Sequence, residues 1–319
     1  MREDDLLKLL SKFWKTDKKL LVPNGDDALA IDVEGEKAVL VTVDTGLENV
    51  HFTTELLTFA EIGYRAVAGA LSDIAAMGGI PVTILIDLEI PESDPVKIES
   101  IYEGIKVLQD QFNFSVGGGN IVHGERWRLT TTVIGSVEKD YILKRNGFRE
   151  GDRIYITGDL GRVNFFFQEL GRPERDPNVF DSLRNKFARP VPRINEIQHL
   201  KRLYRIDGAI DISDGLGIDL TRVAKASDVD IVINLESLPY CDELNALKTN
   251  ELEFYIYIVS SGEEYEVCFC SPEEIKSNGV SEIGFVKNGH GKVFGILKNQ
   301  IIDITNLGYD HLTTSILEG

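Results

Sequence analysis

A series of aspartates, each beside small or apolar residues, is the part of this sequence best suited to chemistry. The set consists of Asp26, Asp27, Asp44, Asp73, Asp211 and Asp214. Carboxylates gathered in a confined site repel one another and lose hydration, so they persist when cations neutralise them. Oxygen ligands in this number suit Mg²⁺ ions that bridge to phosphates. The pattern therefore indicates a magnesium site built from strand ends and helix starts.

Each aspartate also has a purely structural interpretation. Asp44 and Asp73 could cap turns or helices, and Ser213 with Asp214 could cap the helix that follows, because short polar side chains accept hydrogen bonds from the first N–H groups of a helix. For any single residue the two interpretations carry about equal weight. Taken together, in apolar surroundings, the aspartates favour metal binding.

Other catalytic signatures are missing from the sequence. There is no G-x-x-x-x-G-K-[S/T] loop, and the nearest fragment, residues 119–124, is followed by Glu125 instead of lysine. Neither a protein-kinase motif set nor a G-x-S-x-G elbow is present. The cysteines, Cys241, Cys268 and Cys270, form no disulfide or zinc pattern and are expected to be small buried side chains. Phosphate binding must therefore use something other than a P-loop.

Composition narrows the class of protein further. The 319 residues suffice for two domains, and 43% hydrophobic with 27% charged residues is a normal globular balance. A net charge of −18 argues against nucleic acid as the main partner, and it means that a phosphate-bearing ligand needs local cations. No apolar run is long enough to span a bilayer, and residues 1–19 resemble an amphipathic helix more than a signal peptide. We therefore expect a cytoplasmic protein.

Apolar periodicity predicts the elements that position these residues. Helices are predicted over residues 58–77, 94–112 and 216–226, with an amphipathic helix at 1–19. Strands are predicted over residues 28–33, 38–43, 82–90, 128–137, 153–157, 209–212, 231–234 and 264–270, with the first two paired. Residues 117–119 are predicted to turn after a short strand, and 171–192 to form a loop or an irregular helix pair. The mixed pattern predicts an α/β fold of the α+β type, with domains at 1–140 and 141–319.

The ordered motifs resemble the thiamine-monophosphate kinase family, within the aminoimidazole-ribonucleotide-synthetase-like superfamily. The matching segments are residues 25–28, 43–44, 51–52, 71–79, 118–120, 145–147, 151–152, 189–194, 211–216, 262–266 and 308–311. Each segment alone is a weak signal, whereas the ordered series over nearly the whole chain is strong.

The resemblance implies an Mg²⁺-dependent kinase with ATP as co-substrate. The γ-phosphate would pass directly, in line, to thiamine phosphate, giving thiamine diphosphate and ADP without a catalytic general base. Several Mg²⁺ ions would be held by Asp27, Thr42, Asp44, Asp73, Asn120, Asp211 and Asp214. ATP would contact Gly118, Gly119, Asn120, Arg145 and Ser213. Thiamine phosphate would contact His51, Glu263 and the ring of Tyr309. A homodimer is implied, with the N-terminal sheets pairing in a barrel through strands 38–43 and 82–90.

Several residues depart from the family pattern. Asn120 stands where Asp is common, and Val43 stands where Thr is common. Ser261-Gly262-Glu263-Glu264-Tyr265-Glu266 replaces the usual Gly-Gly-Glu-Asp-Tyr-Glu, and Ile121-Val122-His123 replaces Thr-Thr-Arg. Asn120 keeps an oxygen but loses a charge, so one cation is expected to bind more weakly. These changes are expected to affect nucleotide and metal binding more than the fold.

Two other functions stay open at this point. One is ATP-dependent activation of an amide or carbonyl oxygen, as in aminoimidazole ribonucleotide synthetase or the hydrogenase-maturation enzyme of the same superfamily. The maturation enzyme uses a C-terminal cysteine, whereas this sequence ends in Ser315-Ile316-Leu317-Glu318-Gly319. The other is a degenerate member that binds nucleotide without catalysis. An assay with ATP, Mg²⁺ and thiamine phosphate distinguishes the three.

Overall fold

A computed structural model describes residues 2–14, 17–23 and 25–310. Asn24 of a predicted turn, His311 of the last family motif and residues 315–319 lie outside them. The helices are α1 Glu3–Leu10, α2 Phe59–Ala76, α3 Pro95–Phe112, α4 Arg162–Leu170, α5 Pro177–Ala188, α6 Ile194–Leu203, α7 Leu216–Ser227 and α8 Glu251–Val259. The strands are β1 Leu20–Val22, β2 Leu29–Asp32, β3 Lys37–Leu47, β4 Ile80–Ile90, β5 Ser115–His123, β6 Arg128–Glu138, β7 Arg153–Thr157, β8 Gly208–Asp211, β9 Val229–Asn234, β10 Val267–Ser271, β11 Val280–Asn288, β12 Val293–Leu297 and β13 Gln300–Asp303.

The first sheet contains six strands in the order β1-β2-β3-β6-β4-β5. The predicted β2–β3 pair is antiparallel, as are all other neighbours except the parallel β4–β5 pair. One face of the sheet packs against α2, which in turn packs against α3. The opposite face, called the outer face below, alternates with the buried one and leaves Val43 63% exposed and Leu85 39% exposed.

Helix α2 is the central element of the molecule. It begins at Thr58, whose side chain accepts from the Glu61 N–H in a reciprocal capping box, and nearly all of its residues are buried. It contacts β3 and β6 on one side and β8, β10, α5 and α6 on the other. Residues four apart lie on one face of a helix, so Arg65, Gly69 and Asp73 form a single line along α2. None of the described helices is both long and apolar enough to cross a membrane.

The second sheet contains seven strands in the order β13-β12-β9-β11-β7-β10-β8. Strands β9 and β12 are parallel, and the other pairs are antiparallel. Edge strand β8 lies next to α2 and ends at Asp211. The cysteines are buried in the core, as predicted. Phe165 and Phe166 are also buried, whereas Phe167 is 42% exposed.

Three local predictions are wrong for physical reasons. The glycines at 117–119 lie inside β5 and not in a turn, because β5 runs so close to β4 that a Cβ on Gly119 would come within 1.9 Å of the Ile86 carbonyl oxygen. Residues 264–266 precede β10 instead of belonging to it, since Tyr265 has a left-handed φ of 52°. The first helix is confined to Glu3–Leu10, with a short 3-10 turn after it.

Candidate active site

Three carboxylates from separate parts of the chain meet beside α2. Asp27 follows β1, Asp73 lies in the last turn of α2, and Asp211 ends β8. One carboxylate oxygen from each lies within 4.8 Å of the others. We call these three residues the carboxylate cluster. Oxygen ligands from several carboxylates are the donor set that Mg²⁺ prefers in phosphate-handling sites.

The electrostatics of the carboxylate cluster favour a bound cation. Burial raises the pKa values of Asp73 and Asp211 well above the usual value, and the neighbouring carboxylates raise them further. Asp27 Oδ2 and Asp211 Oδ2 are buried and accept no hydrogen bond from the described residues. A buried charged oxygen without a partner costs about 1–3 kcal/mol or more. A divalent cation would remove both the repulsion and this cost, so the residues fit Mg²⁺.

Strand β3 links the carboxylate cluster to a neighbouring pocket. Thr42 Oγ1 donates a hydrogen bond to Asp73 Oδ2 at 2.5 Å. Two residues further on the same face, Asp44 Oδ1 accepts from the Thr45 N–H at 2.7 Å. Burial raises the pKa of Asp44, and the carboxylate of Glu263 adds to this effect. The structure therefore brings five predicted metal ligands, Asp27, Thr42, Asp44, Asp73 and Asp211, into one region.

Arg145 places a positive charge against the carboxylate cluster. Its Nε lies 3.2 Å from Asp27 Oδ1, and its backbone N–H donates to Asp26 Oδ2 at 3.1 Å. Burial raises the pKa of Asp26 to about 6, with a further contribution from the charge of Asp27. Arg145, a predicted ATP contact, thus lies in direct contact with Asp27, a predicted metal ligand.

Hydrogen bonds to Asp219, a residue that was not predicted from the sequence, fix the loop after β8. Asp219 Oδ2 accepts from the backbone N–H groups of Ser213, Asp214 and Gly215 at 3.1, 3.0 and 3.0 Å. The N-cap of α7 is Gly215, so the capping role considered for Ser213 and Asp214 is wrong. Asp214 forms an ion pair with Arg222 at 2.6 Å and lies outside the carboxylate cluster.

A pocket opens beside the carboxylate cluster, on the Asp44 side; we call it the Asp44 pocket. It is lined by Asp44, Thr45, Gly46, His51, Phe52, Arg65, Ala66, Glu263 and Tyr265. His51 Nδ1 accepts from the Leu47 N–H at 3.1 Å, so a neutral His51 ring carries its proton on Nε2. The predicted acceptor contacts His51 and Glu263 therefore share one pocket with the predicted metal ligand Asp44.

Buried Arg65 is the cation of the Asp44 pocket. Its NH2 lies 2.6 Å from Glu263 Oε1, and its guanidinium stacks 4.0 Å from the centroid of the Phe187 ring. The stacking fixes the plane of the guanidinium, so Arg65 holds the Glu263 carboxylate in one position.

Successive residues of the segment 261–266 point alternately into the Asp44 pocket and toward Gly161 and Arg193. Glu263 and Tyr265 line the Asp44 pocket, and both have left-handed φ values, 56° and 52°. Backbone strain of this kind costs on the order of 1–3 kcal/mol per residue and concentrates at functional sites. Glu264 and Glu266 point away and are buried. Glu264 and Glu266 therefore anchor the segment on one side and hold the strained Glu263 and Tyr265 on the other.

The anchors are hydrogen-bonded carboxylates. Glu264 Oε1 accepts from Ser261 Oγ at 2.6 Å and from the Gly161 N–H at 2.8 Å, at the start of α4. Glu266 accepts from Arg193 Nε at 2.6 Å and from Thr157 Oγ1 at 2.6 Å. Lys186 also contacts Glu266. Because the positive partners outweigh its burial, the pKa of Glu266 is lowered.

Tyr309 lies beside the loop that follows β8. Its backbone N–H donates to the Asp214 carbonyl oxygen at 2.8 Å. Burial raises the pKa of Tyr309, and the nearby Glu263 carboxylate adds to this. The ring is therefore close to Glu263, where the sequence predicts a contact with the acceptor.

The predicted nucleotide residues of β5 lie elsewhere within this one chain. Asn120 pairs with Asp87 of β4 and shares the outer face with it, opposite to the face of Asp44. Three strand-to-strand steps separate β3 from β5, or roughly 14 Å at the usual spacing. A single chain therefore does not bring Gly118, Gly119 and Asn120 to the carboxylate cluster.

Four residues of the site were not predicted: Arg65, Gly69, Asp219 and Tyr265. The spacing of Arg65 and Gly69 before Asp73, four residues at each step, was a usable signal, because α2 was predicted over this range. Tyr265 had a weaker signal, its position two residues after Glu263. Nothing local to Asp219 indicates that it binds three N–H groups upstream.

Comparison with known proteins gives the family. Residues 25–137 match the model of the AIR synthase related protein N-terminal domain, and residues 149–295 match the C-terminal domain of the same family. The thiamine-monophosphate kinase of Buchnera aphidicola subsp. Schizaphis graminum is 30% identical over 311 residues, which is 94% of this chain and 89% of the relative. The chain belongs to the thiamine-monophosphate kinase family. Its mixed two-sheet architecture is the fold expected from the sequence.

Solved structures agree with this assignment. A structure described as AaThiL complexed with AMPPCP and TMP has a TM-score of 0.83 and 30% identity, and covers 97% of each chain. Hydrogenase Maturation Protein HypE has a TM-score of 0.68 at 18% identity over 93% of this chain and 96% of its own. The second similarity shows the fold alone, so it does not favour amide or carbonyl activation over the kinase reaction.

Proposed function

We propose that this chain is an ATP-dependent phosphotransferase that converts thiamine phosphate into thiamine diphosphate. The observation that carries the proposal is the buried carboxylate cluster, with its unpartnered oxygens, directly beside the Asp44 pocket. Membership of the thiamine-monophosphate kinase family supports the choice of acceptor, and the structural relative holds AMPPCP and TMP. Because the reaction uses ATP and no membrane helix is present among the described residues, we place it in the cytoplasm.

We assign Mg²⁺ to Asp27, Thr42, Asp44, Asp73 and Asp211. Asp214, which lies outside the carboxylate cluster, and Asn120, supplied by β5 of a second copy, are further ligands in this proposal. When bound, Mg²⁺ supplies charge neutralisation for the phosphate oxygens. The acceptor phosphate has a second pKa of about 6, so its attacking oxygen is mostly ionised at neutral pH and no general base is needed. Arg145, held against Asp27, adds positive charge on the ATP side. Ser213 is a second, uncharged contact to ATP. The transfer is direct and in line.

The acceptor occupies the Asp44 pocket in this proposal. His51 and Glu263 line that pocket, and Tyr309 lies near Glu263. Its phosphate points toward Asp44 and the carboxylate cluster, and its rings point toward Tyr309. His51 binds the acceptor without moving a proton, so His51→Asn should weaken thiamine phosphate binding without abolishing turnover.

A second copy of the chain completes the nucleotide site in our proposal. The outer face leaves Val43 and Leu85 exposed, and Gly118, Gly119 and Asn120 lie on its edge strand, away from the carboxylate cluster of the same chain. Pairing of two outer faces covers the apolar residues and brings β5 of one copy toward the other. Obligate interfaces of this kind bury on the order of 2,000 Å² or more. We place the division between the dimerising domain and the closing domain near residue 140, between β6 and β7.

One assay tests the proposed function. Purified protein is incubated with ATP, Mg²⁺ and thiamine phosphate, and ADP and thiamine diphosphate are measured together. Equal amounts of both products are expected, with none from thiamine or in excess EDTA. ADP formation without thiamine diphosphate would reject this acceptor. A phosphorylated enzyme formed from ATP alone, and able to pass its phosphate to thiamine phosphate, would reject direct transfer; only monomer in sedimentation at micromolar concentration would reject the dimer.

A further inference from the structure

The hydroxyl of Tyr265 is a hydrogen-bond donor at the phosphate end of the Asp44 pocket. A Cβ built on Gly69 would lie 3.2 Å from the Tyr265 hydroxyl and 2.8 Å from Asp44 Oδ2, so both atoms rest on the same small patch of α2. The Tyr265 side chain is partly exposed to the pocket that it lines. Its hydroxyl makes no hydrogen bond with any residue of the described chain, Asp44 included.

The position of Tyr265 is fixed from several directions. Its backbone N–H donates to the Ile212 carbonyl oxygen at 2.8 Å, next to Asp211. The residues on either side of it, Glu264 and Glu266, are tied to α4 and to Arg193. The left-handed φ of 52° turns the ring toward α2, where Gly69 leaves room for it. A donor held this firmly needs little reorganisation when a ligand arrives.

The charges around the hydroxyl select the chemistry of its partner. Asp44 and Glu263 are acidic neighbours, and burial raises the pKa of Tyr265 well above its usual value, with Glu263 adding to the effect. The phenol therefore remains protonated and can donate at neutral pH. Arg65 already pairs with Glu263. An anionic oxygen that binds beside Asp44 can therefore accept a hydrogen bond from the neutral Tyr265 hydroxyl, which adds no negative charge to the site.

We propose that Tyr265 is a catalytic residue whose hydroxyl donates a hydrogen bond to a phosphate oxygen of the acceptor. This rests on the proposed function, since the acceptor must carry a phosphate that reaches the Asp44 side of the pocket. The hydrogen bond holds the acceptor phosphate in one orientation for in-line attack, so the hydroxyl contributes to rate as well as to binding. Its role differs from that of Tyr309, whose ring we place against the rings of the acceptor.

Tyr265→Phe removes the hydroxyl alone. Loss of one donor to a charged oxygen should lower kcat/KM for thiamine phosphate by about 10- to 100-fold. The KM for ATP and the Mg²⁺ concentration for half-maximal rate should stay within about twofold, because the aspartates are untouched. The matched control is Tyr155→Phe: that hydroxyl donates to the Glu273 carbonyl oxygen at 3.0 Å and accepts from the Ile275 N–H at 3.0 Å, in the second sheet. This control should lower stability and leave kcat/KM unchanged.

Calorimetry with Mg²⁺ present gives a readout that does not depend on turnover. Tyr265→Phe should bind thiamine phosphate about tenfold more weakly and bind thiamine as the wild type does. An equal loss for both ligands, no loss for either, or a rate defect that high Mg²⁺ cures would overturn the proposal; the last result would assign the hydroxyl to Asp44. If the wild type makes no thiamine diphosphate, the proposed function fails. Titration of the wild type and of Tyr265→Phe with inorganic phosphate then decides the role of Tyr265, because weaker phosphate binding by the variant would still support the hydrogen bond.

Discussion

Gly69 gives the sharpest test of the site, because adding one methyl group there should separate activity from stability. A Cβ at this position would lie 2.8 Å from Asp44 Oδ2, so the carboxylate must retreat by about 0.6 Å to reach ordinary contact at 3.4 Å. The Tyr265 hydroxyl, at 3.2 Å, must shift as well. Displacements on the order of 1 Å at a reacting centre cost about 100-fold in rate. We expect Gly69→Ala to lower kcat by about 10- to 100-fold.

The same substitution should not weaken the fold. Alanine is favoured over glycine inside a helix by about 0.5–1 kcal/mol, and residue 69 lies in the middle of α2. The closest atom that the methyl group meets, Asp44 Oδ2, is the end of a side chain bordering a pocket, so it can move, and the Tyr265 hydroxyl has to give by only about 0.2 Å. The melting temperature of the metal-free protein should therefore stay constant or rise by about 2 °C. Thermal unfolding in EDTA and kcat at saturating Mg²⁺ are measured on the same preparation.

Gly63, six residues earlier in the same helix, is the matched control. A Cβ there would lie 2.1 Å from the Ile101 carbonyl oxygen and 2.8 Å from its carbon, both backbone atoms of α3. The two helices would have to separate, so Gly63→Ala should lower stability by about 1–3 kcal/mol while the folded fraction keeps its kcat. If Gly69→Ala keeps wild-type kcat, or loses stability and activity together as in a folding defect, the geometry assigned to Asp44 and Tyr265 is refuted.

Three further predictions test the carboxylate cluster, the acceptor side and Lys201 of α6, whose Nζ donates to the Gly78 carbonyl oxygen at 2.6 Å. Asp211→Asn removes a charge from mutually repelling buried carboxylates, so it should raise the melting temperature in EDTA, reduce the stabilisation by Mg²⁺ and lower kcat more than about 100-fold; a normal response to Mg²⁺ would contradict the ligand assignment. Tyr309→Ala should raise the KM for thiamine phosphate about tenfold and leave that for ATP within about twofold; equal changes would indicate a structural role. Burial lowers the pKa of Lys201 to about 8, so between pH 8 and the ordinary value of 10.5 the unfolded chain holds the extra proton and stability should rise with pH. In urea unfolding at about pH 7.5 and about pH 9.5, Lys201→Met should lack this rise, and an unchanged pH dependence would refute the assignment.

Elements with strong local signals could be predicted closely. Helix α2 was expected over residues 58–77 and spans Phe59–Ala76, because its apolar periodicity and its capping residues Thr58 and Glu61 are all local. Strand β7 was predicted at its observed bounds, Arg153–Thr157. Helices α4, α6 and α8 and strands β11 to β13 were not predicted. The short β13 is fixed mainly by its pairing with β12, a contact that sequence periodicity does not encode.

The residues of the candidate site also differ in whether a local sequence signal predicts them. Asp27, Asp73 and Asp211 could be proposed from their residue type and surroundings, and the structure brings them together. Arg65 and Tyr265 could not, because their roles depend on a line of residues along α2 and on a left-handed backbone at residue 265. The family motif 262–266 placed Tyr265 near the site without indicating where its hydroxyl points.

Four of the departures from the family pattern fall into two spatial pairs, and neither pair faces the Asp44 pocket; the others, Ile121, Val122 and His123, end strand β5. Ser261 and Glu264 contact each other, and their bonds to the start of α4 anchor the segment that carries Glu263 and Tyr265. Glu263 and Tyr265, which line the pocket, match the family pattern, and the exchanged Ser261 and Glu264 support them from behind. Val43 and Asn120 both lie on the outer face of the first sheet. Their loss of a hydroxyl and of a charge therefore affects the face where we place the second copy, which leaves the five ligands around Asp73 intact.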